Sequence, residues 1–272
     1  MGYYNLISLM SPKSSLDPDA QAFITAATIT DTTQKAAIDK LVVDLKGYGI
    51  WSKMNAIYPF VGGTASQHKF NLKNPLDTDA AFRLVFNGGW THSSTGALPN
   101  GTNAFADTKL STLTNSLTTA NTHMSYYART ISTASDGAEM GNYNAVGGIP
   151  GGLVIQGKSG SGNNRYFYTV SSAASRSVAA SPTGFICGSS VSASRRDLFL
   201  NGTNVANNTT LDNWIPLSES IYIAAANSGN TPISYANVQF AFSSIGNGLT
   251  NTEAANYYTA VQAFQTTLSR NV

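Results

Sequence analysis

The segment 152–159 has the spacing of a phosphate-binding loop, with glycines at positions 152 and 157 followed by Lys158 and Ser159. Such a loop cradles phosphates only where a flexible glycine-rich turn follows a strand and a helix begins at the lysine. Here the four residues between the glycines are themselves strand-forming, and Gly-Ser-Gly-Asn-Asn-Arg follows where a helix is needed. We therefore expect neither nucleotide binding nor phosphate hydrolysis from this motif.

Carboxylates that hydrolyse a glycosidic bond must lie in a pair, about 5–10 Å apart. The chain has three glutamates, and each is isolated in sequence: Glu139, Glu219 and Glu253. Asp77 and Asp79 are close together, but they follow Asn74-Pro75, and aspartates in a turn commonly accept local hydrogen bonds. A calcium ion held by these two carboxylates and a carbonyl is the alternative interpretation. We expect a protein without catalytic residues and without enzymatic activity.

The histidines and the single cysteine do not form a recognisable site. His68, His92 and His123 are too far apart in sequence to be paired zinc ligands. Cys187 follows two apolar residues, which predicts an inert thiol buried in a strand. No Gly-x-Ser-x-Gly segment supplies a serine nucleophile. We expect no metal ion and no cofactor.

The segment 88–102 is the best candidate for a binding loop, because it combines an indole ring with many short polar side chains. Trp90 could stack on the apolar face of a sugar, while His92 and Asn100 hydrogen-bond its hydroxyls. The alternative is that Trp90 fills the rim of the fold and serves packing alone.

Composition excludes several classes of protein. Of the 272 residues, 42% are hydrophobic and only 11% are charged, against about 25% charged in an average domain. A net charge of +2 gives no electrostatic footprint for nucleic acid. Neither a signal peptide nor an apolar run of membrane-spanning length is evident. We expect a chain made in a cytoplasm, with no membrane partner and no nucleic-acid partner.

The residues before position 69 predict a helical cap over 17–68. Asp17-Pro18 is typical of a helix start, and a second helix is predicted after Asp31, which forms a capping pair with Gln34. The apolar stripe of this second helix is formed by Ile38, Leu41, Val42 and Leu45. A short helical turn is predicted through Trp51, Met54 and Ile57.

From position 69 to 272 the pattern predicts a β-sandwich closed by a helix. Strands are predicted at 81–86, 123–130, 152–157, 165–171, 184–189, 195–200, 203–206, 220–226 and 236–243. Asn201-Gly202 is the strongest hairpin signal. Thr250 and Glu253 form a capping box, and Arg270 is expected to complement the dipole of the last turn. The apolar face of this final helix contains Tyr257, Val261, Phe264 and Leu268.

Four segments resemble known families. Residues 195–203, Arg-Arg-Asp-Leu-Phe-Leu-Asn-Gly-Thr, are similar to the penultimate hairpin of concanavalin A-like, laminin-G-like sandwiches. Segments 51–75 and 86–108, with the closing helix, resemble structural proteins of tailed bacteriophage virions. The resemblance covers most of 20–272 and implies an antiparallel jelly-roll sandwich in a head decoration, fibre or tail component.

The resemblance implies assembly through contacts with other virion proteins, in a homo-oligomer located in the virion. Residues 1–16 are predicted to be a docking arm, which binds either its own domain or another chain. Its anchors would be Tyr3, Tyr4, Leu6, Ile7 and Met10. The alternative function is a carbohydrate-binding adhesin on the same fold, with a host surface glycan as partner, and the third is a glycan-cleaving enzyme.

Overall fold

The computed structural model describes residues 15–134, 136–146, 149–159, 164–169, 172–177 and 183–272. Within these ranges the chain forms two β-sheets packed face to face, and helices cover the outer face of the first sheet. The predicted mainly β, sandwich-like fold with a C-terminal helix is therefore confirmed. In this part of the chain, no helix has the length and apolar character needed to cross a membrane.

The elements follow one another along the chain with the helices at its two ends. The helices are α1 (Pro18–Ala26), α2 (Thr32–Gly47), α3 (Ala65–His68) and α4 (Asn251–Thr267). The strands are β1 (Met54–Tyr58), β2 (Val85–Asn87), β3 (Trp90–Ser93), β4 (Gly96–Pro99), β5 (Phe105–Ser111), β6 (Thr122–Ala128), β7 (Ala138–Val146), β8 (Ile149–Ser159), β9 (Asn164–Thr169), β10 (Ser172–Ser177), β11 (Gly184–Ser192), β12 (Arg195–Leu200), β13 (Thr203–Asn208), β14 (Ser220–Ile223), β15 (Ala226–Ser228), β16 (Thr231–Ile233) and β17 (Phe240–Gly246).

The first sheet has eight strands in the order β13-β12-β11-β6-β17-β4-β3, and β1 also pairs with β17. The second sheet has nine, in the order β10-β9-β8-β7-β14-β5-β2, with β15 and β16 attached beside β7. Strands β3 and β2 are thus the edges of the two sheets on the same side of the core, because their side chains meet across it. This edge carries the segment predicted to bind a ligand.

Strand β6 is buried on both faces, one against the second sheet and the other against the helices. All seven of its residues are buried, and successive side chains of a strand point to opposite faces. Met124, Tyr126 and Ala128 pack between the sheets, whereas Tyr127 packs under the helices. Each large apolar side chain buried in this way contributes about 1.5–3 kcal/mol to folding.

Helix α4 covers the first sheet through the predicted apolar face. Its capping box is confirmed, because Thr250 Oγ1 accepts from the Glu253 N–H and Glu253 Oε2 accepts from the Thr250 N–H. Tyr257, Val261 and Phe264 are buried in the helix–sheet core. Leu268 lies just beyond the helix and is half-buried.

The region predicted as a helical cap also contributes a strand. The helical turn predicted through Met54 and Ile57 is confined to the 3-10 turn Trp51–Lys53, and β1 then pairs with β17. The prediction was wrong here because β1 is buried on both faces, so its apolar residues do not alternate with polar ones. Likewise, the strand predicted at 81–86 begins only at Val85, since Phe82 adopts a left-handed φ of 60°.

The predicted hairpin turn and the Asp31 cap are confirmed, but the return bond from Gln34 is not. Asn201 and Gly202 have φ of 47° and 74° and join β12 to β13, as a type I′ hairpin requires. Asp31 caps α2 by accepting from the Gln34 N–H. The Gln34 side chain does not return that bond, because its Oε1 accepts from the Gly62 N–H instead.

The predicted docking arm lies outside the described residues, except for Ser15 and Leu16. This applies to every predicted anchor: Tyr3, Tyr4, Leu6, Ile7 and Met10. Docking by these residues stays a prediction.

Candidate functional site

The edge of the sandwich is closed by three rings that come from both sheets. Trp90 and His92, on β3, lie with ring centroids 6.1 Å apart and an interplanar angle of 26°. Phe86, on β2, packs edge-on against both, at 5.2 Å from Trp90 and 4.6 Å from His92. Trp90 and His92 share one side of β3 because they are two residues apart.

Trp90 is held by packing and by its indole N–H. Its Nε1 donates to the carbonyl of Asn87 at 3.0 Å and lies 3.4 Å from that of Phe105. The ring is half-buried against the core between the sheets. This environment matches the alternative interpretation in which Trp90 fills the rim.

His92 forms a pair with His68, which ends α3. Their Nδ1 atoms are 2.9 Å apart, so one ring donates and the other accepts. Burial, with smaller contributions from His92 and Arg270, lowers the pKa of His68 to about 3, and burial also lowers the pKa of His92. Both rings are therefore neutral near pH 7.

Asn100 lies beside Trp90 along the hairpin, but its side chain organises a turn. Its Oδ1 accepts from the backbone N–H groups of Thr102, Asn103 and Ala104, at 3.0–3.2 Å. Its Nδ2 donates to Asn103 Oδ1 at 2.8 Å. The structure thus places Trp90 and His92 in one cluster and leaves Asn100 outside it, at the edge of the same hairpin.

Arg270 anchors the end of the chain after α4. It does not sit in the last turn of α4, as predicted from sequence, but follows the helix and is 1% exposed. Its guanidinium donates to the carbonyls of Pro59, Phe60 and Ala241 and to Gln265 Oε1. Burial lowers the pKa of Arg270 to about 9. The prediction missed this role because helix spacing carries no information about carbonyls more than 200 residues away.

A cavity of about 210 Å³ lies where three elements end. Its wall is formed by the start of α2, the turn between β3 and β4, and the segment that follows α4. The polar residues that line it include Asp31, Thr33, Gln34, Ser94, Thr267 and Ser269. Thr95 and Leu268 complete the wall.

The neighbouring hydrogen bonds hold these three elements in place. Thr95 Oγ1 lies 2.9 Å from Ser93 Oγ and accepts from Gln239 Nε2 at 3.1 Å. The Gly62 N–H donates to Gln34 Oε1 at 2.8 Å, which joins α2 to the loop before α3. Ser269 has a left-handed φ of 54°, which turns the chain back after α4. Hydrogen bonds therefore fix the backbone segments that form the cavity wall.

Several polar groups on the wall are not used by the fold. Among the described residues, none forms a hydrogen bond with Asp31 Oδ2, Gln34 Nε2 or the hydroxyls of Thr33, Ser94 and Ser269. Asp31, Thr33, Ser94 and Ser269 are exposed and Gln34 is half-buried, so these groups are open to solvent around a small cavity that an apolar side chain, Leu268, also lines. Such a set can bind a small polyhydroxylated molecule.

Sequence reasoning found only part of this cavity. Ser94 and Thr95 belong to the segment predicted to bind, whereas Asp31 and Gln34 were interpreted only as capping residues. Thr267 and Ser269 carry no motif. No local sequence pattern predicts that these residues lie together, because they converge through the packing of α2 on α4.

The other candidate sites are explained by ion pairs, strands or burial. Asp77 accepts from Lys69 and from Arg83, and Asp79 also accepts from Arg83, so cations of the chain already neutralise the carboxylates considered for calcium. Within the described ranges, no three His, Cys, Asp or Glu side chains gather as metal ligands would.

The phosphate-loop pattern lies in an extended strand. Strand β8 runs through it and pairs with β7 and β9, so the pattern does not form a loop followed by a helix. Cys187 is buried in β11, as predicted, and burial raises the pKa of its thiol. His123 is a buried structural residue, with Nδ1 2.6 Å from the Asn247 carbonyl and Nε2 3.1 Å from Ser244 Oγ.

The described residues thus form a β-sandwich domain with a small polar cavity at one edge. No family model matches the sequence, and no curated protein matches it significantly. Among solved structures, the chain is similar to a point mutant of HCR/D, with a TM-score of 0.51 and 10% identity over 78% of this chain and 53% of that one.

Two other similar structures have slightly lower scores. The binding domain of botulinum neurotoxin serotype D has a TM-score of 0.49 and 10% identity, over 78% of this chain and 52% of that one. Domain 4 of AbnA, a GH43 extracellular arabinanase from Geobacillus stearothermophilus in complex with arabinotriose, has a TM-score of 0.48 and 12% identity, over 75% of this chain and 98% of that one.

The chain spans about half the length of HCR/D and of the neurotoxin domain, and about a quarter of the NanB sialidase structures that it also matches. At this level of identity the likeness concerns the β-sandwich fold alone.

Proposed function

We propose that this protein is a carbohydrate-binding β-sandwich domain and that its sugar site is the cavity between α2, α4 and the β3–β4 turn. The observation that supports this proposal is the set of unused polar groups on the cavity wall. Asp31 accepts hydrogen bonds, Gln34 donates one, and three hydroxyls do either. A sugar ring presents a matching ring of hydroxyls that both donate and accept.

The size and apolar part of the cavity suit a single sugar residue. A volume of about 210 Å³ is below the range of about 300–1,000 Å³ for drug-sized ligands, so one terminal monosaccharide would fill it. Leu268 is half-buried on the wall and offers an apolar contact for the C–H face of the ring. Trp90 and His92 lie further along the same hairpin, where a second sugar unit could contact them.

We propose binding without turnover. Hydrolysis of a glycosidic bond requires two carboxyl groups about 5–10 Å apart, and Asp31 is the one carboxylate on the described wall of this cavity. Glu139, Glu219 and Glu253 belong to other parts of the fold, since Glu253 is used in the α4 cap and Glu219 accepts from Asn144.

Two matched variants on one helix test the site. Thr267 lines the cavity and Thr259 does not, yet both are exposed on α4 and both donate to the carbonyl four residues earlier. The wild type is screened on a glycan array, and its best ligand is then titrated into Thr267→Trp and Thr259→Trp. We expect Thr267→Trp to lose binding at least tenfold and Thr259→Trp to keep it. Equal binding by both variants would show that the cavity is not the site.

A structural role in a phage particle is a separate proposal, supported by the resemblance of 51–75, 86–108 and the closing helix to virion proteins. It is compatible with glycan binding, because an adhesin must also be attached to the particle. Deleting residues 2–14 should leave glycan binding intact and abolish incorporation into particles. Full incorporation of the truncated protein would remove the arm as the anchor.

A further inference from the structure

We infer that the cavity between α2, α4 and the β3–β4 turn takes an uncharged sugar with neighbouring free hydroxyls and discriminates against acidic sugars. The inference rests on the proposed carbohydrate-binding function and concerns the ligand class of the same site. It follows from the charges on and around the cavity wall.

Among the described residues, the wall carries one charged side chain, and it is negative. Asp31 is the charged member of the lining, beside Thr33, Gln34, Ser94, Thr95, Thr267, Leu268 and Ser269. A sugar carboxylate in the cavity would lie next to the Asp31 carboxylate, and two like charges in contact disfavour binding. None of the described lining residues is a cation that could offset that repulsion.

Most cations of the neighbouring segments are used by the fold, whereas Lys35 has no side-chain hydrogen bond or ion pair with the described residues. Arg270 follows the lining residue Ser269 in sequence, but it is buried and its guanidinium makes four hydrogen bonds with protein acceptors. Arg129 donates to the Arg270 carbonyl at 3.0 Å and to Gln239 Oε1 at 2.8 Å. His68 and His92 are bonded to each other. Lys35 lies one turn beyond Asp31 on α2, outside the lining.

The helix ends do not provide an anion site either. The start of α2 would attract an anion through its free N–H groups, but Asp31 caps it by accepting from the Gln34 N–H at 2.7 Å. The other wall is the C-terminal end of α4, where the helix dipole is negative. Thr267 and Ser269 come from that end. The C-terminal end of α4 and the Asp31 carboxylate therefore disfavour a bound anion.

The same groups favour a neutral sugar with two adjacent hydroxyls. Asp31 Oδ2 is not used by the cap, so it can accept from hydroxyls of a bound ring, and carboxylates form short, strong bonds of this kind. Gln34 Nε2 and the hydroxyl of Ser94 can donate to the oxygens of the ring. The Asp31 carboxylate and the neutral donors around it therefore complement two adjacent sugar hydroxyls, whereas the carboxylate of an acidic sugar would be repelled by Asp31.

Matched neutral and acidic sugars test this inference. Affinities are measured for oligosaccharides that end in a hexose, in the corresponding hexuronic acid, or in the hexose capped with sialic acid. We expect the hexose-terminated ligands to bind at least tenfold more tightly than their acidic counterparts. Asp31→Asn should weaken binding of the neutral ligands several-fold and reduce this discrimination, while helix α2 still forms, because Asn caps helices about as well as Asp. Thermal unfolding of Asp31→Asn checks that the fold is kept.

Two other outcomes would overturn the inference in different ways. If acidic ligands bind as tightly as neutral ones and Thr267→Trp abolishes their binding, the cavity is a sugar site but does not discriminate against acidic sugars. Loss of acidic-ligand binding in Lys35→Gln would then identify Lys35 as the cation that contacts the acid. Absence of binding by every neutral and acidic ligand would contradict the proposed function itself, and the inference would fail with it.

Discussion

Replacing Phe264 by alanine should destabilise the protein strongly, because this ring lies where α4 meets the first sheet. Phe264 is 2% exposed. Its ring centroid is 6.3 Å from that of Phe242, in an edge-to-face arrangement, and the Arg270 guanidinium lies 5.3 Å from the ring centroid. The substitution therefore removes a buried ring, an aromatic pair and a cation–π contact together.

The expected loss is about 3–5 kcal/mol of unfolding free energy, which is typical of a Phe→Ala change in a well-packed core. Of this, the pair with Phe242 should contribute about 0.5–1.5 kcal/mol. A typical domain has about 5–15 kcal/mol in total, so the variant would remain folded only with a much reduced margin.

Urea unfolding followed by circular dichroism measures this loss, with Thr259→Ala as an exposed control on the same helix. A double-mutant cycle between Phe264→Leu and Phe242→Leu isolates the aromatic contact, because residues in direct contact are not additive. A midpoint for Phe264→Ala equal to that of Thr259→Ala would refute the account, since the apolar stripe of α4 would then not be holding the sheet.

Three further predictions concern Arg270, the phosphate-loop pattern and a buried histidine. Arg270→Met should lower the unfolding free energy by a few kcal/mol, because the carbonyls of Pro59 and Phe60 lose their charged donor; an unchanged urea midpoint would contradict this. Lys158→Ala should leave folding unchanged, and neither it nor the wild type should hydrolyse ATP; turnover that disappears with Lys158 would contradict this. Burial lowers the pKa of His123 from 6.5 to about 4, so the unfolded chain takes up this proton first and stability should fall as the pH drops from about 6.5 to 4. The loss attributable to His123 is of the order of 3 kcal/mol, and a smaller acid loss in His123→Gln than in the wild type checks it.

Local chemistry determined the parts of the fold that could be predicted from sequence. The Thr250–Glu253 capping box and the Asn201-Gly202 turn depend on residues within four positions of each other, and both form as predicted. Strand β1 was missed because it is buried on both faces, so the period of two that identifies half-buried strands is absent. Its pairing with β17 joins residues almost 190 positions apart.

The candidate site shows the same limit. Trp90 and His92 could be placed together from their spacing on one strand, and their contact is observed. The cavity wall could not be predicted, because Asp31, Ser94 and Ser269 come from three distant segments that converge only after α2 packs on α4. Arg270 shows the same limit, because its position next to α4 predicts an interaction with the helix dipole, whereas its guanidinium donates to the distant carbonyls of Pro59 and Phe60.

Backbone amide shifts measured during a titration with the best neutral glycan test the central claim most directly. We expect the largest changes on residues 31–34, 94–95 and 267–269, which surround the cavity. These changes should disappear in Thr267→Trp and persist in Thr259→Trp. Changes confined to another surface, such as 100–103 or the outer face of the second sheet, would contradict the account.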